Sequence, residues 1–177
     1  MRLINTNISG AYILDSPLIR DYRGAFCKIY NYDLMPNHLK FTPRETYYNI
    51  SNKNVIRGMH FQVPPYDHSK LIKCVRGEIL DVILDIRKES STYLKYDVIS
   101  LNENDNKSIF LPKGIAHGFL SKKKNTIVLY HVSSVYNPNC DKGILWNSFG
   151  FDWPTNNPIL SNRDQNLEHI NEFKSPF

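Results

Sequence analysis

Leu71-Ile72-Lys73-Cys74-Val75-Arg76-Gly77-Glu78-Ile79-Leu80-Asp81-Val82-Ile83-Leu84-Asp85-Ile86 is the stretch that decides the fold class. Two runs rich in Val, Ile and Leu, Leu71–Val75 and Ile79–Ile86, flank the turn-forming pair Arg76-Gly77, which is the pattern of a hairpin of strands. Outward from it the pattern repeats. Tyr96–Leu101, Ser108–Leu111 and Ile127–Val132 are further short apolar runs, separated by Asn102–Asn106, Pro112-Lys113-Gly114 and Lys122–Asn125. This predicts an all-β chain, a sandwich or barrel of hairpins. Helical stretches are expected only at Tyr32–Leu39 and near Asp164–Phe173, and nothing suggests a Rossmann unit. No repeat, linker or low-complexity segment divides residues 1–177, so a single domain is expected.

Composition agrees with that reading. With 177 residues, 41% hydrophobic and 22% charged, the chain is long enough to bury a core without disulfide or metal staples. Its longest apolar runs are broken by Asp81 and Asp85, short of the ~20 residues that span a bilayer, so no membrane role is expected. The N-terminal stretch has no sustained apolar segment, which makes the cytoplasm the expected compartment. Cys27, Cys74 and Cys140 lack paired-ligand spacing and read as reduced structural thiols. A net charge of +5 is spread along the chain, which suits a small anionic ligand such as a phosphate and does not demand nucleic acid. Lys122-Lys123-Lys124 reads as a solvated hairpin tip.

The period of two then assigns faces. Leu80, Val82, Leu84 and Ile86 share one wall, while Ile79, Asp81, Ile83 and Asp85 share the other. Tyr130 sides with Val128 and Val132, and His131 points the opposite way. His60 and Gln62 point together, and Lys70 sides with Ile72 and Cys74. A barrel wall built this way presents His60, Lys70 and Tyr130 inward from three strands. Taken singly, each has an ordinary explanation as a core or rim residue.

Pro112-Lys113-Gly114-Ile115-Ala116-His117 resembles the second motif of the cupin superfamily, in which Pro and Gly set a turn and the histidine projects into the barrel. Metal-binding cupins supply a His-x-His pair, whereas this chain has His60-Phe61-Gln62, and an amide is a poor substitute for imidazole on a transition metal. A cupin-like jelly-roll barrel with short peripheral helices and no metal is therefore expected.

Arg57-Gly58-Met59-His60-Phe61-Gln62, Lys70-Leu71, Gly77-Glu78, Asp85-Ile86-Arg87, Pro112–Phe119, Leu129-Tyr130 and Trp146-Asn147 together resemble the dTDP-4-dehydrorhamnose 3,5-epimerase family. The resemblance runs from Asp21-Tyr22-Arg23-Gly24 through Asp152-Trp153-Pro154 to Leu160–Asp164. It implies a dimeric cupin-like enzyme that epimerises nucleotide-linked 4-keto-6-deoxy sugars without a cofactor. By the same resemblance His60 is the base, Asp164 the carboxylate that orients it, and Tyr130 the acid on the opposite face. Lys70 and His117 face the 4-keto oxygen, where a proton beside a ketone needs its developing charge stabilised. Arg23 and Arg57 fall near the diphosphate, and Lys28, Gln62, Tyr136 and Arg163 fall among the substrate-binding positions. Trp146 reads as core.

The chain departs from the family in two places. Arg23-Gly24-Ala25-Phe26-Cys27-Lys28 ends in Lys where the dTDP-using members have Glu, and Glu45-Thr46-Tyr47-Tyr48-Asn49 replaces Gln-Asp-Asn-His-Ser. The resemblance, read with these changes, gives an expectation of a GDP-linked substrate, a 4-keto-6-deoxy-heptose of capsular polysaccharide synthesis, inverted at C3 or at C3 and C5. The dTDP-linked substrate is the alternative, followed by a 3,4-ketoisomerase and a non-catalytic sugar-binding cupin. A homodimer is expected, its N-terminal segment with Arg23 and Lys28 reaching across to the partner's site.

Overall fold

In the computed structural model, which describes residues 1–177, the chain runs through β1 (Arg2–Asn5), β2 (Tyr12–Asp15), β3 (Leu18–Asp21), β4 (Gly24–Cys27), β5 (Glu45–Ser51), β6 (Ile56–Gln62) and β7 (Lys70–Arg76). It continues through β8 (Glu78–Asp85), β9 (Tyr96–Asn102), β10 (Lys107–Leu111), β11 (Ile115–Ser121), β12 (Thr126–Val132) and β13 (Asp141–Gly143). Six strands form one antiparallel sheet in the order β1-β2-β10-β7-β12-β5, and five form a second in the order β13-β6-β11-β8-β9. The fold is all-β and its two sheets make a jelly-roll barrel, as expected.

The two strands that decided the reading do not form a hairpin: β7 pairs in the first sheet and β8 in the second, so the turn at Arg76-Gly77 carries the chain from one sheet to the other. Ile72 and Cys74 of β7 and Ile79 and Ile83 of β8 meet Val128, Tyr130, Ile109 and Phe119 in the core between the sheets. Val82, Leu84 and Ile86 face the other way into a second cluster, closed by Trp153 and flanked by Trp146, Phe151 and Phe173 from the C-terminal segment. Burial on both faces is why β8 reads as a nearly continuous apolar run. Ile83 is fully buried, so truncation to Ala removes a well-packed side chain, a change that typically costs about 2–5 kcal/mol.

Helix is scarcer than expected. Tyr32–Leu39 holds two single 3-10 turns, Tyr32–Leu34 and Asn37–Leu39, because Pro36 forces Met35 into an extended conformation between them. The C-terminal helix is one turn, α1 (Asn162–Gln165), capped by Ser161, whose side chain accepts from the Asp164 N–H. Beyond it the backbone turns to the sheet: Leu145 N–H donates to the Glu168 carbonyl at 2.8 Å. β3 and β4 pair only with each other, as a hairpin apart from both main sheets. No helix is long and apolar enough to cross a membrane.

Two glycines fix the seam on which the site is built. β6 and β11 approach so closely that a Cβ on Gly58, whose φ is +132°, would stand 2.4 Å from the Gly118 Cα and 2.8 Å from the His117 carbonyl oxygen. A methyl on Gly118 would in turn meet the Arg57 carbonyl oxygen at 2.9 Å. The contact sets His60 opposite His117 in the ladder. In the facing sheet β12 lies between β7 and β5, pairing Tyr130 with Ile72 on one side and with Tyr47 on the other.

Candidate active site

A cavity of about 410 Å³ opens at one end of the barrel, walled by Glu45 and Tyr47 of β5, His60, Phe61 and Gln62 of β6, Lys70 of β7, and His68, Val132, Tyr136, Asp141 and Arg163. Strand alternation brings the polar groups here: His60 and Lys70 occupy inward positions at the ends of β6 and β7 nearest the opening.

His60 Nε2 lies 2.7 Å from Asp164 Oδ1. The second carboxylate oxygen, Oδ2, accepts from the Gly58 N–H at 3.3 Å. Burial alone would raise the Asp164 carboxyl, but the hydrogen bonds from His60 and Gly58 outweigh it and hold the carboxyl below its ordinary value. A carboxylate at Nε2 fixes the proton on that nitrogen, which leaves Nδ1 as the one free to accept another. Lys70 Nζ donates to the backbone carbonyl of His60 at 3.0 Å. Burial brings its ammonium down to about 8, against the opposing pull of Asp141 and Asp81. A cation held this way is poised to answer negative charge that develops beside it.

Tyr130 and His117 lie one layer behind the wall. Tyr130 is 5% exposed and its ring stacks beneath that of Tyr47, with centroids 4.9 Å apart. Burial raises its phenol well above the ordinary value, opposed by an N–H from Asn49. His117 Nε2 is 2.7 Å from Asp81 Oδ2, with both side chains buried, and burial lowers the imidazole despite that carboxylate. The resemblance put His117 against the substrate's keto oxygen, whereas the structure gives it the buried Asp81 as its partner.

Gln62 and Arg163 line the cavity with much of their bonding capacity committed. Gln62 Nε2 donates to the carbonyls of Tyr66 and Val135 and reaches His68 Nδ1, while its Oε1 accepts from the Asn137 N–H at 2.7 Å. That amide ties two loops together. Arg163 pairs with Asp141 at 2.8 Å. Tyr136 is exposed at the rim, where its N–H donates to Glu45 Oε1 at 3.0 Å.

Three expected positions lie elsewhere in the single chain. Arg57 is anchored to β5, donating to Ser51 Oγ at 3.0 Å and to the Ile50 carbonyl at 3.2 Å. Arg23 sits on the β3–β4 hairpin, turned to solvent and paired with Asp21 at 2.6 Å. Lys28 follows β4 beside a separate recess of about 180 Å³ formed with Ile19, Phe26 and Leu34. The hairpin makes no ladder with the barrel, so nothing within one chain carries Arg23 or Lys28 to the cavity.

Alternation put Asp81 on one face with Ile79 and Ile83, and its bond to His117 depends on the β8–β11 register. Tyr47 and Asn49 stood out only as departures from the family. Asp141 and His68 carried no readable signal. Burial, with Lys70 and Lys113 near by, takes His68 down to about 3, so the cavity holds it as a neutral ring. His131 turns outward to Thr46, as alternation required, and Trp146 packs against the outer core.

The arrangement can move protons: a half-open imidazole backed by a carboxylate, a buried ammonium, and a buried phenol across the barrel. No group of three or more His, Cys, Asp or Glu side chains is placed to hold a metal ion. Residues 5–172 match the family described as dTDP-4-dehydrorhamnose 3,5-epimerase. The dTDP-4-dehydrorhamnose 3,5-epimerase of Shigella flexneri is 34% identical over 170 residues, covering 94% of each chain. A crystal structure of the Bacillus anthracis Ames enzyme of that name, with TDP and PPi bound, superposes with a TM-score of 0.91 at 35% identity, over 96% of this chain and 99% of the other. The dTDP-6-deoxy-D-glucose-3,5-epimerase of Legionella pneumophila Philadelphia 1, in complex with dTDP-4-keto-L-rhamnose, superposes with a TM-score of 0.91 at 28% identity, over 98% and 94%.

Proposed function

The chain belongs to the dTDP-4-dehydrorhamnose 3,5-epimerase family of nucleotide-sugar epimerases, and from that premise we propose that it inverts C3 and C5 of a dTDP-linked 4-keto-6-deoxy sugar. The observation that carries the reading is the His60–Asp164 pair, 2.7 Å long, opening on the cavity beside Lys70. His60 Nδ1 takes the proton next to the ketone, and Asp164 stabilises the imidazolium that results. Lys70 answers the charge on the enolate oxygen. Tyr130 returns a proton from the other face, which inverts the centre. His117 and Asp81 support the floor on which His60 and Tyr130 stand.

The comparisons favour dTDP over the GDP-linked heptose that the sequence departures suggested. The relatives named above are dTDP-sugar enzymes, one with TDP and another with a dTDP-sugar in its structure. Around the cavity mouth Arg163, Tyr136 and Gln62 are the substrate-facing groups we assign, with Arg23 from the hairpin of a second copy answering the diphosphate.

We also infer a homodimer in which the β3–β4 hairpin delivers Arg23 and Lys28 to the partner's cavity. The hairpin's isolation from both sheets and the exposure of Ile19 and Phe26 on it support that arrangement. The experiment is incubation in D2O with dTDP- and GDP-linked 4-keto-6-deoxy sugars in parallel, followed by NMR. Two deuterons, at C3 and C5 of the dTDP sugar, are expected. One deuteron makes the enzyme a C3 epimerase, exchange with the GDP sugar alone overturns the handle, and no exchange overturns the epimerase. Full activity in a monomer overturns the hairpin's role.

A further inference from the structure

β5 grips the side chain that the proposed reaction uses as its acid. Across the β12–β5 ladder Tyr47 stands directly opposite Tyr130, and Asn49 follows two residues on, on the same face. The Tyr47 and Tyr130 rings are stacked, 17° from parallel. Asn49 Nδ2 donates to the Tyr130 phenol oxygen at 3.3 Å. From the second sheet the ring of His117 meets Tyr130 edge-on at 5.9 Å. The phenol oxygen thus accepts from Asn49 while its own O–H stays free to donate.

We propose that Tyr47 and Asn49 are positioning residues that hold Tyr130 as a proton donor of fixed direction, an assignment that rests on the epimerase reading. The C3 proton goes to His60 Nδ1, and the C–H electron pair becomes the enolate on the 4-keto oxygen. The Tyr130 O–H proton then forms the new C–H bond on the opposite face, and its O–H electron pair stays on the phenol as a phenolate. Solvent afterwards reprotonates the phenolate and takes the proton from the imidazolium. Asn49 donates its Nδ2 N–H to the phenolate oxygen, and the stacked Tyr47 ring fixes the plane of the phenol.

Asn49 itself argues against a purely packing role. Its Oδ1 is buried with no hydrogen-bond partner, a cost that an apolar residue of similar size would avoid. What the amide gives in return at this place is the N–H on Tyr130.

If Tyr130 loses its hold, the enolate is reprotonated by His60 from the face it left, so exchange continues while inversion fails. The test is the ratio of deuterium washed into recovered substrate to inverted product, measured in D2O with a dTDP-linked 4-keto-6-deoxy sugar. Asn49→Ala, and the near-isosteric Asn49→Asp, which has no N–H to offer, are expected to raise that ratio roughly tenfold or more. Tyr47→Ala raises it as well, and Tyr47→Phe, which restores the ring, brings it back towards the wild-type value. A folded Asn49 variant with the wild-type ratio, or one in which exchange and inversion fall together, overturns the assignment while the epimerase stands. A wild-type enzyme that exchanges no deuterium overturns both.

Discussion

Two histidine–aspartate pairs face each other across the β6–β11 ladder, each with Nε2 to carboxylate oxygen at 2.7 Å, yet they are suited to different work. His60 keeps 30% of its side chain exposed to the cavity, whereas His117 keeps 4% and its Asp81 partner none. Around Asp164 the bonds from His60 and Gly58 overcome burial and favour the carboxylate. Around His117 burial overcomes the carboxylate and favours the neutral ring. The same two residue types at the same separation are thus suited, in the reaction we propose, to accept a proton in one place and to brace the fold in the other. Access to solvent and substrate decides between them, with pair geometry common to both.

The sharpest break in this comparison is His60→Ala. Loss of a general base typically costs ~10²–10⁴ in rate, so kcat/KM should fall by that much in the folded variant, with some loss of stability because the buried Asp164 loses its partner. A similar collapse of rate in both His60→Ala and His117→Ala, at unchanged stability, would erase the distinction.

Next in size is Lys70→Met, which removes the ammonium expected to stabilise the enolate and should cost ~10²–10³ in kcat. Its pH behaviour follows from the value of about 8 in the folded protein. Activity should decline as pH rises through about 8, because the neutral amine carries no charge to offer. Stability should move the other way. Between about 8 and the unperturbed 10.5 the unfolded chain binds the extra proton, so unfolding becomes harder as pH rises through that window. Lys70→Met should abolish both trends, which parallel pH-rate and denaturation series will read.

The smallest effect belongs to the strut. Asp81→Ala leaves the buried His117 Nε2–H without its acceptor and should lower stability by about 2 kcal/mol, with a much smaller change in rate than at His60. Chemical denaturation alongside single-turnover kinetics separates the two.

Much of this was legible before any coordinates. The two strands within Leu71–Ile86, the paired faces of β8 and the inward turn of Tyr130 against the outward turn of His131 all follow from period-two patterning, because both sheets bury their inner faces, whereas the placing of β7 and β8 in different sheets does not. The N-terminal strands were not read. β1 to β4 hold four residues each and are half-exposed or worse along most of their length, which leaves little pattern to find. The C-terminal helix was over-read, since Glu168 engages the sheet instead of extending α1. Within the site, His60 and Asp164 are 104 positions apart and were paired through family resemblance alone. The grip of Tyr47 and Asn49 on Tyr130 needed the β12–β5 register, which no local pattern encodes.

The glycine seam also bears on how such a site can change over generations. Gly58 and Gly118 leave no room for a single methyl where β6 crosses β11, so drift there is closed at the level of folding. The spacing of the two histidines is thereby inherited as a backbone property. β5 lies at the sheet's edge, and its outward-facing Tyr48 and Ile50 are exposed and unconstrained by that seam. A lineage can change those outward positions while the spacing of the two histidines passes on intact.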